Sequence, residues 1–123
     1  MSLRVLIVDD NELTLTLVSK ILELDGYQVD GAINAADALQ KIKIQQPDLA
    51  ILDVMMPDMN GYELCTRLRQ DPYSLTIPIL IMTAEGSDQD NERALACGAN
   101  YLLTKPFDND VLRKLIKKMI PAS

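Results

Sequence analysis

Two hydrophobic periods alternate along the chain, and each indicates a different kind of secondary structure. Short apolar runs with many β-branched residues fall near residues 3–8, 27–32, 49–53, 77–82 and 100–104. Apolar residues recur at the spacing of an amphipathic helix near residues 11–25, 34–46, 60–70, 87–97 and 108–119. In the first of these helical segments, the repeat consists of Leu13, Leu17, Ile21 and Leu24. The pattern predicts strands and helices in strict alternation.

Residues with special backbone or hydrogen-bonding roles lie at the ends of these segments. Gly26 and Gly98 follow helical segments, where glycine commonly closes a helix. The spacings Asn34-x-x-Asp37 and Ser87-x-x-Asp90 resemble acidic capping boxes. We therefore expect helix N-caps at Asn34, Ser87 and Asp108.

The strand segments are apolar at nearly every position, as in residues 77–82, which is typical of strands buried on both faces. Pro78 is tolerated there only at the start of the strand. Strands that alternate with helices predict right-handed crossovers and a parallel sheet with helices on both faces. We expect one α/β domain over residues 1–123, a doubly wound, flavodoxin-like (βα)5 sheet, for which 2-1-3-4-5 is a common strand order.

Composition narrows the possible functions. A length of 123 residues suits one domain with one core, and no apolar stretch approaches the roughly 20 residues of a membrane helix. With no signal-peptide pattern, we expect a cytoplasmic protein that does not bind membranes. The net charge of −6 disfavours direct nucleic-acid binding, and without histidine the chain cannot be a phosphohistidine carrier. Cys65 and Cys97 are expected to be buried thiols rather than a disulfide or metal pair.

Three carboxylates follow two of the predicted strands. Asp53 ends the apolar run 49–52, and Asp9 and Asp10 follow the run 5–8. If these strands are neighbours, the carboxylates meet at the carboxyl edge of the sheet, where such folds bind ligands. Close carboxylates repel, so they take up either a proton or a cation. Mg²⁺ fits because it needs few carboxylates and leaves room for a phosphate oxygen, although each aspartate alone is consistent with a solvated loop.

A hydroxyl and an ammonium group are predicted at the same edge. Thr83 ends the fourth strand segment and Lys105 follows the fifth, although, taken singly, Thr83 is better explained as a turn residue and Lys105 as a surface lysine. Together with the carboxylates they suit a phosphoryl group held covalently as an aspartyl phosphate. Phosphoryl transfer depends mainly on positioning and charge neutralisation, which a metal and a lysine supply.

Four segments, taken in order, carry a resemblance to a known family. Residues 8–11, 52–61, 83–84 and 104–107 look like the receiver domain of two-component response regulators, in a form similar to the chemotaxis regulator. The resemblance covers essentially the whole chain. It implies a domain that accepts a phosphoryl group from a histidine kinase or a histidine phosphotransfer protein. Such a domain is not an enzyme beyond its own phosphorylation and dephosphorylation.

The resemblance also implies roles for the acidic residues. Asp53 is the phosphoacceptor and a metal ligand, and Asp10 is a direct Mg²⁺ ligand. Asp9 helps to hold the ion, often through water, and the backbone carbonyl of Met55 is the third protein ligand. The peptide bond between Lys105 and Pro106 is usually cis in this family.

The expected switch departs from the family pattern at one position. By resemblance, Thr83 moves to the phosphoryl group and Lys105 pairs with it, while a face of helix 4, strand 5 and helix 5 changes conformation. Many members carry an aromatic switch residue three positions before the lysine, where this chain has Leu102. Tyr101 precedes it, and a shift of one place reverses the side of a strand, so we do not expect Tyr101 to act as that switch.

The switching face is also where partners of this family bind. It can contact an output domain in the same chain or form a homodimer. Tyr101 stands where many DNA-binding relatives use an acidic residue in a salt-bridged dimer, which disfavours that dimer. The charges of helices 4 and 5 are consistent either with solvated surfaces or with pairing between protomers. Residues 120–123 could begin a linker to another domain.

Three other functions fit the sequence less well. A pseudo-receiver that binds partners without phosphorylation would usually lack an acid, the acceptor or the lysine, and all are present here. A phosphatase with an aspartate nucleophile usually needs a second carboxylate two residues on, where this chain has Met55. A flavin site needs a phosphate loop rich in Gly, Ser and Thr, whereas residues 9–12 are Asp-Asp-Asn-Glu.

Overall fold

A computed structural model of the protein describes residues 3–120, and within that range it contains one sheet and five helices. Residues 121–123 of the predicted linker lie outside the described range. The strands are β1 (Arg4–Val8), β2 (Gln28–Ala32), β3 (Leu49–Asp53), β4 (Ile79–Thr83) and β5 (Tyr101–Thr104). The helices are α1 (Glu12–Leu24), α2 (Ala35–Ile44), α3 (Gly61–Arg69), α4 (Asp88–Cys97) and α5 (Asn109–Met119). All ten elements predicted from the sequence are present.

The sheet has the order β2-β1-β3-β4-β5, and all neighbouring strands are parallel. This confirms the predicted doubly wound fold. Every residue of β3 and β4 is buried, as expected for central strands covered on both faces. The register aligns Val8 with Leu52 and Thr83 with Thr104. The carboxyl ends of β1, β3, β4 and β5 therefore lie along one edge.

The core consists of two layers, one on each face of the sheet. One layer contains residues of α1 and α5 packed against positions such as Ile7 and Ile51. The other contains residues of α2, α3 and α4 packed against Val8 and Leu52. Adjacent strand residues contribute to opposite layers because side chains alternate along a strand.

The apolar repeat that predicts α1 differs from the stripe that the helix buries. Leu13, Leu17 and Leu24 are 66%, 54% and 87% exposed, whereas Val18 and Leu22 are buried. The helix carries more apolar residues than the sheet can cover, so the leucine repeat identifies a helix but not its inward side. The exposed leucines leave an apolar surface on α1.

The predicted caps form with one exception. Ser87 and Asp90 make a complete capping box at the start of α4. Asn34 accepts a hydrogen bond from the Asp37 amide at 2.8 Å, but Asp37 does not return one to Asn34. Its carboxylate instead accepts from the Ile33 amide at 3.4 Å. The second predicted box is therefore only half formed.

Other local predictions agree with the structure. Gly98 ends α4 with a φ of 90°, and Gly26 has a φ of 92°, a region that favours glycine. The Asp108 side chain caps α5 by accepting a hydrogen bond from the Asp110 amide. Pro78 lies directly before β4. Cys65 and Cys97 are free, buried thiols as expected.

Gly61, at the start of α3, provides a test of this packing. A Cβ atom at this position would lie 2.4 Å from the carbonyl oxygen of Asp53, and neither backbone can move away easily. We expect Gly61→Ala to lower the free energy of unfolding by about 3 kcal/mol, as overpacking against a rigid neighbour does. Urea unfolding followed by circular dichroism measures the change.

Gly31→Ala is the matched control for this substitution. A Cβ atom at Gly31 meets only Leu15 side-chain carbons, at 3.8 Å and 3.9 Å. Its effect should therefore stay within about 1 kcal/mol. Equal losses in the two variants would contradict the close approach of α3 to Asp53.

Candidate functional site

Three acidic side chains converge at the carboxyl edge of the sheet. Asp9 and Asp53 are only 1% and 6% exposed, whereas Asp10 lies on the surface. Each carboxylate offers one oxygen, and these three oxygens all lie within 4.8 Å of one another. The sequence predicted this cluster from the strand ends, and the structure brings the three residues together. Its oxygen donors suit a hard cation.

Lys105 spans the two buried carboxylates. Its Nζ donates to Asp53 Oδ1 at 2.8 Å and to Asp9 Oδ2 at 3.2 Å. The backbone amide of Lys105 also donates to the carbonyl of Thr83 at 2.7 Å, and this bond continues the pairing of β4 and β5. The peptide bond to Pro106 is cis, as the resemblance implies. Lys105 thus lies inside the site rather than on a solvated surface.

The start of α1 holds Asp9 in place. The amide of Asn11 donates to Asp9 Oδ1 at 2.9 Å. The Asn11 side chain in turn caps α1 by accepting from the amides of Leu13 and Thr14. Asp9 therefore uses one oxygen for the helix start and the other for Lys105.

Burial and charge shift the ionisation of the central pair. Burial raises the pKa of Asp53 above its ordinary value; the hydrogen bond from Lys105 opposes this, while the charges of Asp9 and Asp10 add to it. Burial alone would lower the pKa of Lys105, but the hydrogen bond and charge of Asp53, with Asp9, raise it overall. The ammonium therefore stays charged, while Asp53 is an acid whose ionisation costs free energy.

The loop between β3 and α3 is anchored to α2. Asp58 accepts hydrogen bonds from the amides of Ala35 and Ala36, each at 3.1 Å. These bonds lower the pKa of Asp58, chiefly through the two amides. Met55, two residues after Asp53, lies in the same loop, and its side chain is 73% exposed. The side chain of Met55 therefore faces solvent, and any role of this residue at the site falls to its backbone.

Thr83 and Leu102 lie where the sequence placed them. Thr83 is 4% exposed, and its Oγ1 accepts from the Glu85 amide at 3.5 Å. Leu102 packs against the core layer of α2, α3 and α4. Tyr101 lies on the other face, with the Lys118 ammonium 5.9 Å from its ring centroid. The predicted reversal of side between the two β5 residues is confirmed.

One buried residue beside the site was not identified from the sequence. Tyr62, the second residue of α3, is 4% exposed, and its hydroxyl donates to Asp90 Oδ1 at 3.0 Å. The guanidinium of Arg93 lies 4.3 Å from the centroid of its ring. In the sequence Tyr62 is one apolar position of a short helix, so only the packing of α3 against α4 indicates its role.

The architecture and the site together define a class, the doubly wound α/β proteins with an acidic site at the carboxyl edge of the sheet. Residues 5–117 match the family described as the response regulator receiver domain. The chain belongs to this family.

Relatives and solved structures agree with this assignment. The phosphate regulon transcriptional regulatory protein PhoB of Rhizobium meliloti is 37% identical over 95% of this chain and 52% of its own length. The chemotaxis protein CheY4 of Vibrio cholerae has a TM-score of 0.93 at 33% identity, covering 98% of this chain and all of that one.

A second similar structure contains a metal. The receiver domain of sensor histidine kinase PA1611 from Pseudomonas aeruginosa has a TM-score of 0.90 at 26% identity, covering 99% of this chain and 100% of that chain. It carries a magnesium ion coordinated in its active site cleft.

The chain spans about half the length of the first curated relatives it matches, 52% and 50%. Among the helices formed within residues 3–120, none has the length and apolar character needed to cross a membrane.

Because the pKa of Asp53 is raised, the ionised form of this residue is predicted to lower the free energy of unfolding. Its folded-state pKa lies above the ordinary value of 3.8, so the native state binds more protons than the unfolded state between the two pKa values. Stability therefore falls as pH rises through that window, and the cost is complete above the folded-state pKa. We expect Asp53→Asn to raise the free energy of unfolding at neutral pH by about 1 kcal/mol in the presence of EDTA, and the gain to vanish below the unfolded-state pKa.

Urea unfolding at several pH values measures this difference. Asp88→Asn removes an exposed acid and changes the net charge equally, and it should not stabilise the protein. A less stable Asp53→Asn variant at neutral pH would show that burial does not dominate the ionisation of Asp53.

Proposed function

We propose that the domain, residues 1–123, is a phosphorylatable receiver that accepts a phosphoryl group on Asp53. The observation that carries the proposal is the ion pair of Lys105 with Asp53 at 2.8 Å, beside two further carboxylates. A buried carboxylate next to a cation and a metal-binding cluster is equipped as a nucleophile for phosphoryl transfer. A module that only bound partners would have no need to bury these charges.

Mg²⁺ fits the donor set. Asp10 and Asp53 would bind the ion directly, with Asp9 holding it through water and the Met55 carbonyl as the third protein ligand. When bound, the ion supplies positive charge to the oxygens of the transferring phosphoryl group. Exposed Asp10 leaves the cluster open to solvent on one side, which suits an ion that keeps several waters.

The protein residues supply the rest of the chemistry. A carboxylate oxygen of Asp53 attacks phosphorus; the new O–P bond forms as the bond to the donor nitrogen breaks, and its electron pair returns to the donor imidazole. Lys105, already within hydrogen-bonding distance of Asp53 Oδ1, then pairs with a phosphoryl oxygen. Thr83 donates its hydroxyl to another oxygen, and Leu102 repacks beside it.

The phosphoryl donor would be a sensor histidine kinase or a histidine phosphotransfer protein. A groove of about 390 Å³ between α1 and the segment after β5 borders Lys105 and is lined by Leu17, Pro106 and Phe107. It supports docking of a partially apolar partner beside Lys105, and it gives the exposed Leu17 of α1 a place in that contact. An output domain in the same chain or a homodimer would bind the face of α4, β5 and α5. The cytoplasmic location predicted from the sequence is part of this proposal.

Chemical phosphorylation tests the proposal without the cognate kinase. We expect acetyl phosphate with Mg²⁺ to add one phosphoryl group, detected by intact mass spectrometry, and Asp53→Asn to abolish the addition. Lys105→Met should slow it by about a hundredfold, because it removes the cation beside the acceptor. Asp88→Asn serves as the control and should react at the parental rate.

Two outcomes would point to other functions. No Mg²⁺ binding at about millimolar concentration together with no labelling would contradict the proposal and favour a pseudo-receiver. Sustained turnover of small phosphate esters that depends on Asp53 would instead indicate a phosphatase.

A further inference from the structure

Tyr62 occupies a position between the acidic site and helix α4. Its helix begins against the acceptor strand: the Gly61 amide donates to the carbonyl of Val54 at 3.1 Å, and no Cβ could fit between Gly61 and the Asp53 carbonyl. The Tyr62 ring lies in the same core layer as Leu102. Tyr62 is thus fixed by neighbours that belong to the site itself.

Tyr62 lies between two polar residues, Asp90 of α4 and Thr83 of β4. On one side its hydroxyl donates to Asp90 Oδ1 at 3.0 Å. On the other side is the end of β4, where Thr83 lies. Burial raises the pKa of Tyr62 to about 12, the hydrogen bond and charge of Asp90 add to the shift, and Arg93 and the Thr83 hydroxyl oppose it. The backbone brings Tyr62 and Thr83 close. The Val54 amide donates to the carbonyl of Met82 and the Gly61 amide to the carbonyl of Val54, each at 3.1 Å, so α3 begins beside the end of β4. Thr83 lies two residues beyond Ile81, which belongs to the core layer of Tyr62, so both side chains lie on that face of the sheet.

Asp90 links Tyr62 to the start of α4. Its Oδ1 accepts from Tyr62, while its Oδ2 accepts from the amide and the hydroxyl of Ser87, each at 3.1 Å. The same carboxylate therefore serves both the tyrosine and the capping box of α4. Arg93, one turn further along α4, adds a cation over the Tyr62 ring at 4.3 Å.

The first turns of α4 contribute few residues to the core. The buried residues of the helix are Ala94 and Cys97, both in its second half. Within residues 3–120, the N-terminal half is held mainly by polar contacts, and the bond from Tyr62 to Asp90 joins it to a buried side chain of another element. A change in this bond is therefore expected to move the helix start at small cost.

We propose that Tyr62 is the positioning residue that couples Thr83 to the N-terminus of α4. When the Thr83 hydroxyl turns toward a phosphoryl group on Asp53, it turns away from the face that Tyr62 shares, and the bond from Tyr62 to Asp90 adjusts with it. The capping box of α4 then changes its geometry. This inference rests on the proposed function, and it gives a polar aromatic connection to a chain that has Leu102 at the usual aromatic position.

Fluorine NMR of the full chain tests the coupling directly. Tyrosine is replaced by 3-fluorotyrosine, and three of the four tyrosines, Tyr27, Tyr73 and Tyr101, are changed to Phe so that Tyr62 alone is observed. Beryllofluoride with Mg²⁺ is the phosphoryl analogue, and its own fluorine signal reports occupancy of the site. We expect the Tyr62 resonance to shift at full occupancy, to stay in place in Thr83→Val and to shift again in Thr83→Ser.

Amide hydrogen exchange gives an independent measurement at α4. In the parent protein, the analogue should change protection of the Asp90 and Asn91 amides by about tenfold, the equivalent of one hydrogen bond to a charged group. In Tyr62→Phe this change should fall below about twofold while the analogue still binds. Tyr101→Phe, on the opposite face of β5, is the control and should behave as the parent does.

The results separate this inference from the proposed function. A Tyr62 resonance that stays in place while the analogue is bound overturns the coupling and leaves phosphorylation intact. The same conclusion follows if Tyr62→Phe keeps the full change at α4. Failure of the parent protein to bind the analogue overturns the proposed function, and the coupling with it. The fluorine experiment keeps Tyr62, so it stands even if Tyr62→Phe does not fold.

Discussion

Two nearly buried carboxylates at the end of an apolar sheet require a cation, and Lys105 provides it at 2.8 Å from Asp53 and 3.2 Å from Asp9. Removing charges from water costs several kcal/mol per ion unless each has a close partner, so this triad constrains the elements around it. Strand β5 must end where its next residue reaches both acids, and β1 must end with Asp9 turned toward β3. The compensation is incomplete, since burial still raises the pKa of Asp53. The negative charge of Asp53 is thus only partly compensated in the folded protein.

Contacts from several elements also fix the position of the backbone around Asp53. Helix α3 begins so close to the Asp53 carbonyl that Gly61 can carry no side chain. The intervening loop is tied to α2 by both oxygens of Asp58. These contacts come from different elements, so a displacement of the acceptor would disturb several of them at once. A reacting carboxylate benefits from such support because small misplacements cost large factors in rate.

The fold and most of the site were predictable because both depend on short-range rules. Strands buried on both faces produce unbroken apolar runs, and parallel strands collect their carboxyl ends at one edge, which placed Asp9, Asp53, Thr83 and Lys105 correctly. The two-residue period of a strand also put Tyr101 and Leu102 on opposite sides. The way each helix packs on the sheet and on its neighbours was not predictable in this way. The inward side of α1 depends on how the helix rolls on the sheet, and residue spacing alone does not determine it.

Tyr62 illustrates a contact that residue spacing in the sequence does not predict. Its importance arises from a hydroxyl that meets Asp90 of α4, 28 residues further along the chain. Asp90 was recognised only as a local cap, although its second oxygen serves a distant partner. Hydrogen bonds between two helices are directional, so small rotations weaken them, whereas the burial of apolar surface is not directional. Backbone contacts fix the acceptor Asp53, whereas a few side-chain hydrogen bonds hold the start of α4. The start of α4 can therefore change its conformation without displacing Asp53.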